Sequence, residues 1–173
     1  MPINKMLLQR RKVLIVMGSE SDLPVMQETA KLLSGFAVPF EMRIASAHRS
    51  PELLDEVVAE AEKSGTAAII AGAGAAAHLA GAIAARTILP VIGVPLDSSP
   101  LKGVDALYAT VQMPPGVPVA TMAIGAAGAK NAAIFALQIL ASADGKVEKL
   151  LRRYKRDLAD GVKRKSRVLK QVK

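Results

Sequence analysis

Apolar residues along this chain fall into short continuous runs, alternating with stretches in which they recur every three to four positions. Lys12 to Met17 reads as a buried strand, because five apolar residues, three of them β-branched, run straight into Gly18. Asp22 followed by Pro24 predicts a helix start, with Leu23, Met26, Ala30 and Leu33 as its apolar stripe and an end near Gly35. The same unit then repeats. Val38 to Ala45 predicts a second strand, and Ser50-Pro51-Glu52 opens a helix that carries Leu53, Leu54, Val57, Val58 and Ala61 and closes at Gly65. Ala67 to Ala71 predicts a third strand, followed by the Gly72 to Ala77 loop and a helix to about Arg86. Pro90 to Pro95 predicts a fourth strand, Ala109 to Met113 a fifth, and Gly128 to Leu140 an alanine-rich helix.

Strands and helices alternating at this spacing imply a parallel sheet covered on both faces, joined by right-handed crossovers. The expected fold is α/β, a flavodoxin-like three-layer sandwich over residues 1–145. Residues 146–173 are expected to form a basic amphipathic helix and tail, with Val147, Leu150, Leu151, Tyr154 and Leu158 on one side and a loosely ordered end beyond Gly161. In such sheets ligands bind at the carboxyl ends of the strands, near the switch in strand order, so the loops after the first three strands matter most.

Composition narrows the chemistry. With 51% hydrophobic residues in 173, the chain has ample material for one core, and with no cysteine it has no disulfide, thiolate metal site or Cys nucleophile. No Trp and five Phe plus Tyr make recognition by aromatic stacking unsupported. The apolar run Val13 to Met17 is too short for a secretory or membrane segment, so a soluble, cytoplasmic protein without membrane contact is expected. The net charge is +8, but twelve Lys and Arg against three acids from Lys146 onward leave the first 145 residues with one net negative charge. Charge of that kind reads first as the solvated side of a helix, with nucleic acid a minor alternative.

Three loops carry candidate chemistry. Gly18-Ser19-Glu20-Ser21-Asp22 offers hydroxyls and backbone N–H groups at a helix start, either as a phosphate cradle or as ordinary capping by Ser21 or Asp22. Ser46-Ala47-His48-Arg49-Ser50-Pro51 sets an imidazole able to exchange protons beside a guanidinium suited to phosphate. Gly72 to His78 superficially resembles a dinucleotide fingerprint but follows the third strand rather than the first; its small residues instead permit close backbone approach, to a ligand or to a packed helix. Gln112 to Pro118, stiffened by three prolines, suits a rim or an interface. Hydrolase elbow, P-loop lysine and metal-spaced clusters are missing from the sequence.

Taken in order, Met17-Gly-Ser-x-Ser-Asp22, Ser46-Ala-His-Arg49, Ala71-Gly-Ala-Gly74, Ala77-His-Leu79 and Val111-Gln-Met-Pro114 resemble the signature of the PurE family, over about Lys12 to Leu140. Ser-Ala-His-Arg together with Ala-His-Leu is similar to class I rather than class II. Class I membership implies an isomerase of de novo purine biosynthesis that moves a carboxylate from N5 to C4 of N5-carboxyaminoimidazole ribonucleotide. It implies no metal and no cofactor, and a homo-octamer. By the same resemblance His48 is the general acid/base, Ser19, Asp22 and Arg49 bind substrate, Ser21 and Ser46 add phosphate donors, and Gly74 and His78 lie in the loop around the carboxylate. Alternatives are a class II-like aminoimidazole ribonucleotide carboxylase and a non-catalytic ribonucleotide-binding module. The family pattern Gly-Gly-Ala-Ala-His-Leu-Pro-Gly-Met departs here to Gly74-Ala-Ala-Ala-His-Leu-Ala-Gly-Ala82. A positive φ at Ala75 would cost about 1 kcal/mol, and the absence of proline at Ala80 is expected to loosen the loop.

Overall fold

Lys12–Met17 forms strand β1 in the computed structural model, which describes residues 11–170. The first ten residues of the predicted domain and the last three of the predicted tail lie outside the described residues. Two compact units divide the chain, the first ending at Ala136 and the second beginning at Leu137.

In the first unit, a 3-10 turn at Glu20–Asp22 leads into α1, Leu23–Gly35, which buries Met26, Ala30 and Leu33 of the stripe read from the sequence and leaves its first member, Leu23, half-buried. β2 is Phe40–Ile44, α2 Pro51–Lys63, β3 Thr66–Gly74, α3 Leu79–Ala84 and β4 Val91–Leu96. Gly65 follows α2 with φ +74, the left-handed conformation that ends a helix at no steric cost to glycine. These elements lie within a few residues of their predicted limits.

The sheet is parallel throughout, in the order β2-β1-β3-β4, with one further strand beyond β4. β1 and β3 pair from Val13 opposite Ala68 to Met17 opposite Gly72, and β3 then runs on to Gly74 beside β4. On one face Leu14, Val16, Ile69 and Ala71 pack with Leu54, Val57, Val58 and Ala61 of α2 and Leu79, Ala80 and Ile83 of α3. On the other lies α1, close enough that a Cβ at Gly72 would stand 2.4 Å from Met26 Sδ. This is the flavodoxin-like α/β arrangement, and β1 and β3 flank its switch in strand order.

The fifth strand is not at Ala109 to Met113. That segment is the end of helix α4, Val104–Val111, followed by a turn, and β5 is the two-residue Ala120–Thr121, parallel to β4 through Ile92 and Gly93. A short apolar run does not reveal its period; here Ala106 and Thr110, four apart, both face inward, and the Thr110 hydroxyl donates to the Ala106 carbonyl at 2.7 Å. Three prolines just before β5 keep it short at the sheet edge.

α5 spans Gly125–Ala141, and within the first unit its Ala129, Ala132, Ala133 and Ala136 are fully buried. The Thr29 hydroxyl of α1 donates to the Ala129 carbonyl at 2.8 Å, fixing that part of α5 beside α1.

In the second unit α6 runs unbroken over Gly145–Lys170, so the loosely ordered end expected beyond Gly161 is instead helical to Lys170. One glycine costs a helix about 1 kcal/mol, and pairs one turn apart, Glu148–Arg152, Arg153–Asp157 and Asp160–Lys163, offset part of that. Val147 and Leu151 are buried, whereas Leu158, Val162, Val168 and Leu169 are exposed. No helix among the described residues is long and apolar enough to cross a membrane.

Candidate functional site

The loop after β1 closes on itself. The Ser19 hydroxyl accepts from the Ser21 N–H at 3.4 Å, and the Asp22 carboxylate accepts from the Ser19 N–H at 3.0 Å, a reciprocal capping box in which Ser19, rather than Ser21, is the capping hydroxyl. The Asp22 N–H is turned back to the Ser19 carbonyl at 3.2 Å. Three of the N–H groups read as a phosphate cradle are therefore satisfied within the loop. A bound anion would rely on the hydroxyls and on Arg49.

Burial raises the Asp22 carboxyl above its ordinary value of 3.8, against the N–H groups of Ser19 and Gly18, the Ser21 hydroxyl and the charge of Arg49, which all pull it down. A carboxyl raised in the folded state contributes stability below its unfolded value and loses it as pH climbs through the folded one. The ionised Asp22 is thus a net cost to folding at neutral pH. Asp22→Asn keeps an acceptor for the Ser19 N–H and removes the charge. Its urea midpoint at pH 7 is expected to equal or exceed that of the wild type, with the advantage vanishing near pH 4; a lower midpoint at pH 7 would show that the carboxylate stabilises the fold.

After β2, Ser46 and Ser50 clamp a five-residue loop. The Ser50 hydroxyl accepts from the Ser46 N–H at 3.0 Å, the Ser50 N–H donates to the Ser46 carbonyl at 3.1 Å, and the Ser46 hydroxyl accepts from the Arg49 N–H at 3.2 Å. Ser50 is spent on this clamp and does not cap α2 with its side chain. The Arg49 guanidinium donates to the Gly18 carbonyl at 2.8 Å, tying the second loop to the first.

After β3, Ala75 adopts φ 50°, the left-handed conformation anticipated above. The chain then folds through two tight turns, Ala77 N–H to the Ala75 carbonyl and His78 N–H to the Ala76 carbonyl, both at 2.8 Å. Ala75→Gly relieves the Cβ strain at the expense of unfolded-chain entropy, so stability is expected to rise by up to about 1 kcal/mol, readable as a higher melting temperature. Ala80 does not loosen the loop. It is the second residue of α3 and only 3% exposed, so helix and core hold it in place of a proline ring.

These loops enclose a cleft of about 280 Å³ at the carboxyl end of the sheet. Ser19, Ser21 and Asp22 line it from the first loop, Ser46, His48 and Arg49 from the second, and Gly74 from the third. The remaining predicted residue, His78, stands beside it with its Nδ1 2.9 Å from His48 Nε2. Sequence reasoning missed Ser98, which enters from the loop after β4 and faces Gly74 so closely that a Cβ there would lie 1.7 Å from its hydroxyl. The polar run Asp97-Ser98-Ser99 after an apolar strand was the available signal. Ala47, Ala73, Ala76 and Leu79 supply apolar wall. The proline-rich Gln112 to Pro118 segment does not line the cleft; Met113 instead lies over Gly81 of α3.

A second concavity, about 300 Å³, lies at the amino-terminal ends of β1 and β3. Its Lys12 and Arg43 are paired with Glu41 and Glu60, which leaves less charge there for a ligand than the strand-end cleft offers. Among the described residues no three His, Asp or Glu side chains are grouped to hold a metal ion.

A family model described as AIR carboxylase matches residues 12–161. The N5-carboxyaminoimidazole ribonucleotide mutase of Pyrococcus abyssi is 54% identical over 147 residues, covering 85% of this chain and 83% of that protein. The mutase of the same name from Escherichia coli K12 is 50% identical over 151 residues, covering 87% and 89%. Among solved structures, Treponema denticola PurE superposes with a TM-score of 0.86 at 28% identity, covering 94% of this chain and all of that one.

Proposed function

The chain belongs to the AIR carboxylase family, and we propose that it is an N5-carboxyaminoimidazole ribonucleotide mutase, an isomerase of purine biosynthesis acting in the strand-end cleft. The observation that carries this reading is convergence: both histidines of the chain, a guanidinium, a buried carboxylate and three serines meet where β1, β2 and β3 end.

In the proposed reaction the 5′-phosphate lies against Arg49 and the Ser19, Ser21 and Ser46 hydroxyls, where charge-assisted hydrogen bonds are strongest. Asp22, held by the Ser19 N–H, accepts from the ribose hydroxyls. His48 supplies the proton that N5 needs as its carboxylate leaves as CO2. C4 of the freed aminoimidazole then attacks the CO2, and His48 takes the C4 proton to restore the aromatic ring. One imidazole performs both transfers, and no proton is gained or lost over the cycle. Gly74, with no side chain, lets the third loop approach the migrating carboxylate. The protein is read as a cytoplasmic homo-octamer, and sedimentation velocity giving a monomer would reject that assembly.

The deciding assay mixes purified protein with N5-carboxyaminoimidazole ribonucleotide and follows formation of the C4-carboxylated isomer without ATP or metal. Turnover supports the mutase; folded protein that binds without turnover leaves a ribonucleotide-binding module. Efficient turnover of aminoimidazole ribonucleotide with bicarbonate would make it a carboxylase instead.

A further inference from the structure

We propose that Ser98 is a substrate-binding residue whose hydroxyl donates to the carboxylate once it stands on C4; the inference rests on the mutase reading above. Ser98 enters from the loop after β4, and no other residue of that strand or loop lines the cleft. Among the described residues its hydroxyl has no hydrogen-bond partner. The turn before α4 is closed by its neighbour instead: the Ser99 hydroxyl accepts from the Leu101 N–H at 3.1 Å, and the Ser99 carbonyl from the Lys102 N–H at 3.0 Å. Of the four serines that line the cleft, Ser19 and Ser46 already accept from loop N–H groups, and the Ser21 hydroxyl is directed to the Asp22 carboxylate. The Ser98 hydroxyl is the uncommitted one, with its proton available to a ligand.

Its position is set by a missing side chain. Gly74, the last residue of β3, pairs with Leu96 of β4. Two residues beyond Leu96, Ser98 places its hydroxyl 1.7 Å from where a Cβ at Gly74 would stand. Any larger residue at 74 would displace it.

The two ends of the cleft therefore differ in chemistry. Arg49, tied to the Gly18 carbonyl, stands with Ser19 and Ser46 past the ends of β1 and β2. Around Gly74 the wall is Ala73 and Ala76, with Ser98 as the hydroxyl beside them. β1 and β4 are two strands apart, about 10 Å, room for a mononucleotide laid across the strand ends. With the phosphate at Arg49, the imidazole and its carboxylate lie toward Gly74 and Ser98. An O–H donated to a carboxylate among small apolar side chains is a strong, charge-assisted bond. Being neutral, it steadies the anion without the pull of a full cation, which suits a group that must also depart as CO2.

The test compares two ribonucleotides that differ only by that carboxylate, the C4-carboxylated isomer and aminoimidazole ribonucleotide, by isothermal titration calorimetry. Ser98→Ala is expected to weaken binding of the carboxylated ligand at least about tenfold and to change the affinity for aminoimidazole ribonucleotide less than about twofold. Arg49→Ala, at the phosphate end, is the matched control and should weaken both ligands by the same factor. Gly74→Ala, whose Cβ takes the place of the hydroxyl, is expected to lose the same preference for the carboxylated ligand although Ser98 is retained. Equal losses for both ligands in Ser98→Ala, an unchanged affinity for the carboxylated one, or a preference that survives in Gly74→Ala would overturn the proposal alone. Wild-type protein that binds neither ribonucleotide would overturn the mutase reading and the proposal with it.

Discussion

His48→Asn is expected to lose about 10² to 10⁴ of the wild-type kcat, the range spanned by a single positioned acid/base, with KM changed far less. Asn preserves size and hydrogen bonding but cannot exchange a proton near neutral pH. The His48 ring is exposed at the cleft and its loop is clamped by Ser46 and Ser50 rather than by the imidazole, so the melting temperature should stay close to that of the wild type. Surface changes of this kind shift stability by no more than about 0.5 kcal/mol. Steady-state kinetics with thermal denaturation separates the outcomes. Retained turnover would remove His48 from the chemistry, whereas lost turnover with lost folding would assign it a structural role.

The largest expected loss of stability comes from Gly128→Ala in the first turns of α5. Helix propensity alone favours the change by about 1 kcal/mol. Packing opposes it, because a Cβ at Gly128 would fall 1.6 Å from the Ala123 carbonyl oxygen and 2.7 Å from its carbon. Both are backbone atoms, so no rotamer change relieves the contact. Ala123 follows Met122, whose N–H donates to the Gly93 carbonyl at 2.8 Å, so any shift reaches the β4 edge of the sheet. Overpacking of this kind typically costs about 1 to 3 kcal/mol. The variant is therefore expected to melt several degrees lower at the same protomer concentration, since each kcal/mol moves a domain of this size by roughly 2 to 4 °C. Gly161→Ala in α6 is the matched control: its Cβ would meet only the Arg164 guanidinium at 3.8 Å, so propensity should prevail and stability rise by up to about 1 kcal/mol. Two glycine-to-alanine changes of opposite sign would show that contact rather than propensity decides at Gly128; equal signs would refute it.

Much of the fold was legible in the sequence because its signals are local. β1, β3 and β4 are buried strands, and continuous apolar runs ending at glycine or a polar loop announce them without reference to the rest of the chain. Pro24 and Pro51 mark helix starts for an equally local reason: their fixed φ and missing N–H suit the first turn. The seven predicted cleft residues share one cleft because each stands just past the end of a strand or, for Gly74, at its last residue, and parallel strands bring those ends together.

What the sequence left undecided depends on partners distant along the chain. Ala109 to Met113 is apolar enough for a strand or a helix, and only its packing, with Ala106 and Thr110 both turned inward, made it helical and moved β5 to Ala120–Thr121. Ser98 joined the site because Gly74, 24 positions earlier, leaves room for its hydroxyl. The two histidines, 30 residues apart, became a hydrogen-bonded pair through a left-handed Ala75 and a clamped serine loop. Periodicity and turn chemistry act over a few residues and are written into the sequence directly. A distance between two side chains is the sum of every turn between them, and tertiary structure alone determines it.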